Sequence, residues 1–198
     1  MLEVKDATIA VGGRTLAKGL SFVARDGQLT CITGPEASGK TTLLRTLMGF
    51  LPVEDGFVSV DGELLTTHSA HAFRTFMLYL PQKIGMLAHQ LYEPDPVEPE
   101  PETYAVWNSL LPTIVPEQEP EPLSGEEIIE LTEKTMSEAA DKSIVIADEP
   151  TASLTPELTI RMIELLRQQA QAGKTVLIAS RKPQVIGYAD QVIRLENR

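Results

Sequence analysis

Residues 34–42, Gly34-Pro35-Glu36-Ala37-Ser38-Gly39-Lys40-Thr41-Thr42, fit the pattern G-x-x-x-x-G-K-[ST]. Glycine at both ends lets the backbone wrap tightly enough for several N–H groups to converge on one anion. In such a loop Lys40 reaches the β- and γ-phosphates and the Thr41 hydroxyl ligates Mg²⁺, while the helix that begins here points its positive end at the same charge. The flanks agree with this reading: Leu29-Thr30-Cys31-Ile32-Thr33 is strand-like and Leu43-Leu44-Arg45-Thr46-Leu47-Met48 is helical. The bland alternative is a Gly-rich turn that happens to carry Lys-Thr.

A chain of 198 residues with this loop reads as a single domain over residues 1–198, large enough for a sizeable core. The net charge of −11 makes nucleic acid a poor partner. Much of that charge is local, because residues 93–122 hold eight of the 28 acids and none of the 17 basic residues. Eight prolines share the same stretch, which excludes a long helix and predicts a solvated excursion with one helical turn around Trp107. A solvated loop and a partner-binding anchor at Trp107 are both compatible with it. The single cysteine, Cys31, allows no intrachain disulfide and fits a reducing compartment as a small core residue. The start of the sequence lacks a basic, apolar signal pattern, and no apolar run approaches the ~18 residues that span a bilayer, so a soluble chain is expected.

Along the front half, Leu2-Glu3-Val4 and Leu20-Ser21-Phe22-Val23-Ala24 alternate as strands, Gly12-Gly13 breaks, and Asp26-Gly27 reads as a hairpin-type turn. Gly49 and Pro52 stop the first helix, and a strand and turn follow over 56–64. Phe76-Met77-Leu78-Tyr79-Leu80 is a strand closed by Pro81, which leaves Gln82 at its carboxyl end, where an α/β sheet presents ligand-binding groups. Ser124 and Glu127 have capping-box spacing for a helix running to about Ala140. Ile144-Val145-Ile146-Ala147 and Thr175-Val176-Leu177-Ile178-Ala179 are apolar enough to be buried on both faces, as in a parallel sheet. Between them Thr155 caps a helix with Pro156 at its first position, ended by Gly173, and Ala189–Leu195 reads as an edge strand. Strand and helix alternate, which argues for βαβ units in an α/β fold.

Asp148 and Glu149 follow the first of those buried strands, expected beside the end of the strand that enters the phosphate loop. An Asp there holds the Mg²⁺ shell, and a Glu one residue on orients or deprotonates an attacking water. A turn-forming Asp-Glu-Pro is the structural alternative.

Taken in order, these motifs resemble the nucleotide-binding domain of ABC-type ATPases over essentially the whole chain. Residues 34–42 correspond to Walker A, Leu80-Pro81-Gln82 to the Q-loop, Leu123-Ser124-Gly125-Glu126-Glu127 to the signature, and Ile144–Thr151 to Walker B. The resemblance implies an α/β P-loop NTPase with a mainly parallel core sheet, an N-terminal antiparallel β subdomain and a reduced helical subdomain. It implies ATP and Mg²⁺ as ligands, with residues 34 to 42 (Gly34, Pro35, Glu36, Ala37, Ser38, Gly39, Lys40, Thr41 and Thr42) and Val11 on the nucleotide. By the same resemblance Thr41, Gln82 and Asp148 attend the metal, Glu149, Gln82 and Arg181 serve catalysis, and Ser124, Gly125 and Glu126 form the signature. Two such domains sandwich each ATP head to tail, which implies a second nucleotide-binding domain and an integral membrane subunit as partners. A cytoplasmic position, peripheral on the inner face of the cell membrane, follows.

The departures from the family pattern sharpen the expectation. Glu126 replaces the signature's second glycine and adds a negative charge that would face the partner's γ-phosphate. Arg181 stands where the family has a switch histidine; an arginine neutralises phosphate but passes no proton at neutral pH. Thr155 replaces the D-loop Asp, and Val11 replaces the aromatic that stacks on adenine. Only 40 residues, mostly the acidic tract, separate Gln82 from Leu123. A subunit that binds MgATP with impaired or asymmetric hydrolysis is therefore expected; the alternative is a degenerate relative that uses ATP binding as an assembly or regulatory switch. A DNA-repair ATPase of the same superfamily is disfavoured, because the acidic tract is no coiled coil.

Overall fold

The computed structural model describes residues 1–11, 14–66, 68–82 and 123–195. The Gly12-Gly13 break and the excursion over 93–122, with its turn at Trp107, lie outside them. An antiparallel sheet comes first: β1 (Leu2–Val11) pairs with β2 (Arg14–Ala24) on one side and β4 (Asp55–Val60) on the other, and β5 (Glu63–Leu64) extends β4. A parallel sheet follows, made from β3 (Leu29–Thr33), β6 (Met77–Leu80), β7 (Ile144–Asp148), β8 (Thr175–Ala179) and β9 (Gln191–Arg194) in the order β6-β7-β8-β3-β9. Its helices are α1 (Lys40–Leu47), α2 (Ala70–Arg74), α3 (Gly125–Glu138), α4 (Pro156–Gln171) and α5 (Pro183–Tyr188).

The inner parallel strands β3, β7 and β8 are buried along their whole length because both faces are covered. Ile144 and Ile146 of β7 face one cluster with Leu43, Leu44 and Leu47 of α1, whereas Val145 and Ala147 face a second cluster with Met162, Ile163 and Leu166 of α4. This period of two divides each strand between two cores. The first cluster also takes in Leu2, Val4, Ile9 and Phe22, so the antiparallel sheet packs over α1 from the opposite side. Truncating a fully buried Leu44 to Ala would cost ~2–5 kcal/mol.

Helix ends follow the sequence signals. Ser124 accepts from the Glu127 amide and Glu127 accepts from the Ser124 amide, a complete capping box. Thr155 accepts from the Leu158 amide with Pro156 at the first position of α4. Two details differ from expectation. Asp26-Gly27 closes no hairpin, because β2 and β3 belong to different sheets and the turn carries the chain between them. Nor does β7 adjoin β3: β8 lies between, paired in parallel with both. The helical-subdomain expectation rests on residues 83–122, which lie outside the described residues; α3 begins just after them.

Candidate functional site

β3 delivers the phosphate loop from the middle of the parallel sheet, and α1 receives it. Gly39, with φ of 90°, sits in the left-handed region and ends the loop without a side-chain cap, so the first N–H groups of α1 have no capping oxygen. Gly34 is required for another reason: a Cβ there would lie 2.5 Å from the Leu195 carbonyl oxygen and 2.7 Å from Ser38 Oγ. Ala37 also takes positive φ, 57°, without being glycine. The Lys40 side chain is only 8% exposed and curls over its own loop, donating to the carbonyls of Pro35 at 2.9 Å and Gly34 at 3.2 Å.

Across the cleft, β7 ends in Asp148. Its carboxylate is buried, and Oδ1 has no hydrogen-bond partner. Burial, aided by the Asp148 charge, pushes the Tyr79 phenol up to about 12. Glu149 follows in the left-handed region at φ 45°, fixed by its amide, which donates to the Ala179 carbonyl at 2.9 Å. Its Oε1 lies 3.9 Å from Lys40 Nζ and 3.5 Å from Arg181 Nε, and Arg181 Nη1 lies 3.3 Å from Glu36 Oε2. Two cations and two acids thus alternate around the mouth of the loop. The Cys31 thiol beneath is pushed up to about 11 by burial, helped by the Glu149 charge, which keeps it protonated as a core residue.

An open cleft of ≈ 430 Å³ is lined by Val11, Leu16, Glu36, Ala37, Ser38, Gly39, Lys40, Thr41, Thr42, Gln82, Glu149 and Arg181. Most of the expected nucleotide and catalytic residues therefore meet in one place. Gly34, Pro35 and Asp148 are not among the residues that line it. Ser124, Gly125 and Glu126 do not line the cleft at all. At Gly125 a Cβ would approach Leu158 Cδ1 to 2.6 Å. Glu126 pairs with Arg161 Nη1 at 3.0 Å, and Arg161 also reaches Glu133 at 3.4 Å. Thr155 is engaged as the cap of α4. Sequence reasoning missed Leu16, whose side chain would meet a Cβ on Gly39 at 3.0 Å, and Lys182, which ties the loop after β8 to α4. Leu16 carries no motif signal, since only the curl of β2 brings it over the loop.

A family model described as "ABC transporter" matches residues 17–152. An ABC transporter ATP-binding/permease protein of Mycobacterium tuberculosis is 29% identical over 215 residues, covering 98% of this chain and 24% of that protein. An uncharacterized ABC transporter ATP-binding protein of Haemophilus influenzae is 26% identical, covering 100% of this chain and 81% of that protein. The chain thus spans about a quarter of the first relative and about four-fifths of the second. Among solved structures, a nucleotide-free ATP-binding cassette from an ABC transporter superposes with a TM-score of 0.72 at 19% identity, over 98% of this chain and 87% of that one. The dimeric structure of a bacterial ABC transporter cassette gives 0.67 at 19% identity, over 99% and 94%. At those identities the structural likeness speaks for the fold alone.

Proposed function

The chain belongs to the ABC transporter family as an ATP-binding domain, and on that premise we propose that MgATP binds in the cleft above the phosphate loop and is hydrolysed weakly through Glu149. The observation that carries this reading is the convergence of Lys40, Glu149 and Arg181 over a glycine-ended loop at the head of α1. The N–H groups at 34 and 36–40 and the Lys40 side chain would hold phosphate oxygens, and Gln82 is among the lining residues. Asp148 suits a divalent cation: a buried carboxylate with an unpartnered oxygen is costly unless something positive engages it. Asp148 and Thr41 would hold Mg²⁺, with Gln82 beside it; when bound, the ion neutralises charge on the triphosphate. Glu149 would orient and deprotonate the attacking water.

Ser124, Gly125 and Glu126 lie away from their own cleft, which supports their use by a second nucleotide-binding domain, identical or not. None of the helices among the described residues is long and apolar enough to cross a membrane. An integral membrane subunit would then place the chain on the inner face of the cell membrane and receive the conformational change. Thr155 and Arg181, both departures from the family pattern, favour a second reading in which ATP binding is a switch without transport.

Binding and turnover separate the two. Wild type, Glu149→Gln and Lys40→Ala are titrated with a fluorescent ATP analogue and assayed for phosphate release. Binding by wild type and Glu149→Gln, with turnover by wild type alone, is expected of the motor. Binding by both with no turnover in any assembly favours the switch. Equal binding by Lys40→Ala overturns the site.

A further inference from the structure

A second cavity lies at the other end of α1. There the last turn of the helix, the loop that follows it and the β4–β5 hairpin enclose ≈ 330 Å³, at the lower end of the range that takes small molecules. No residue lines both this cavity and the nucleotide cleft. Leu51, Val53, Phe57, Val58, Leu64 and Leu65 give it apolar walls. The two hydroxyl side chains in the lining are already engaged: Thr46 Oγ1 donates to the Thr42 carbonyl at 3.0 Å, and Thr66 Oγ1 accepts from the Ser69 amide at 3.1 Å. The backbone sets the shape at Gly49, where φ is 72° and a Cβ would lie 2.5 Å from that of Ala70. Leu64 is 56% exposed and belongs to neither core cluster, so its apolar surface has no use in the fold.

The charges beside these walls are lopsided. Glu54 and Asp55 lie between the lining residues Val53 and Gly56, and Glu63 precedes Leu64. All three are exposed, and none forms an ion pair among the described residues. The neighbouring arginines are engaged elsewhere. Arg45, next to Thr46 on α1, acts on the Tyr79 phenol of β6, while Arg74 donates to the Met48 carbonyl at 3.4 Å and lies over the Phe50 ring. Lys5, paired with Phe57 across β1 and β4, is left against three acids. Apolar walls whose hydroxyls are satisfied reject a polar ligand, because its desolvation brings no hydrogen bond in return. An acidic rim favours a ligand whose positive end stays in water. We propose that this cavity binds a cationic amphiphile, with an aliphatic chain between the walls and an ammonium at the rim beside Glu54, Asp55 and Glu63. The proposal stands apart from the nucleotide reading, with which it shares no residue.

Three probes of equal chain length test this: n-decylamine, n-decanol and n-decanoate, each titrated below its micelle concentration into the purified, methyl-labelled chain and followed by carbon–proton correlation spectra. The amine is expected to shift the methyl signals of Leu51, Val53, Val58, Leu64 and Leu65. It should bind about two- to fivefold more tightly than the alcohol, with the carboxylate weakest. The triple variant Glu54→Gln, Asp55→Asn, Glu63→Gln removes that order, and Leu64→Ser weakens all three probes by about threefold or more. Both variants change exposed side chains only. Should the triple variant fail to fold, wild type in about 0.5 M salt replaces it, since screening removes the same preference. Equal binding of the three probes, an amine preference that survives both the triple variant and salt, or shifts confined to other methyls overturns the proposal. So does movement of the same signals with protein concentration alone, which assigns the cavity to contact between copies of the chain.

Discussion

Lys182 Nζ donates to the Leu154 carbonyl at 3.0 Å and, beyond it, to Thr159 Oγ1 at 3.1 Å. One side chain thereby fastens the loop after β8, which carries Arg181, to the turn after β7 that ends in Thr155. Burial holds the ammonium below the usual lysine range, against the pull of Glu149. Lys182→Met keeps the length of the side chain and removes its donors, leaving the Leu154 carbonyl without this partner. Urea unfolding should show a loss of ~1–2 kcal/mol; an unchanged midpoint would mean water replaces the bond.

Gly34 has no room for a side chain, with the Leu195 carbonyl and Ser38 Oγ both within 3 Å of a Cβ. Backbone on one side cannot yield as a flexible side chain could. Gly34→Ala should therefore cost ~1–3 kcal/mol and weaken binding of an ATP analogue, both read from one nucleotide titration followed by Tm. Gly187→Ala, where a Cβ meets open space and φ is not positive, controls for loss of a glycine without crowding.

The Glu126 carboxylate is held by Arg161 on the neighbouring helix. If Glu126 opposes the phosphates of a second domain, Arg161→Ala should release that charge and lower ATP turnover by about two- to fivefold. Glu126→Gly should raise turnover, and adding Arg161→Ala to it should then do nothing more. Loss of activity in the double variant equal to that of Arg161→Ala alone would show that Arg161 acts through packing.

Hydrogen bonding within the capping box, chiefly with Ser124, holds the Glu127 carboxyl below its ordinary 4.5. A depressed folded-state value stabilises above the unfolded one and is lost as pH falls through the folded one. Wild type should thus melt above Glu127→Ala at pH 7, and the gap should close once pH drops below the lowered value. A gap that persists to pH 2 would assign the effect to helix propensity.

Much of this architecture is written locally. The phosphate loop, the Ser124 and Thr155 caps and the doubly buried strands at 144–148 and 175–179 all depend on neighbours a few residues away. What escaped depends on distance along the chain. Nothing near Asp148 says that β8 will lie between its strand and β3, since that order is decided by the pairing of β3 with β8, whose partners Leu29 and Val176 lie far apart along the chain. Glu126 and Arg161 are 35 residues apart, so their pairing is not legible from the residues around either. Asp26-Gly27 has hairpin chemistry, yet the strands on either side of it pair elsewhere. The short helices Ala70–Arg74 and Pro183–Tyr188 span too few turns to show a period.

The two sheets share the core around α1: Leu2, Val4 and Ile9 from the chain's beginning lie in one cluster with Leu43, Leu44 and Leu47. The antiparallel sheet is therefore no detachable module. An engineer who grafted residues 25–195 alone, hoping to keep a minimal phosphate-binding unit, would bare the apolar back of the very helix that the loop feeds. Transplantation between relatives has to carry both sheets together, or neither.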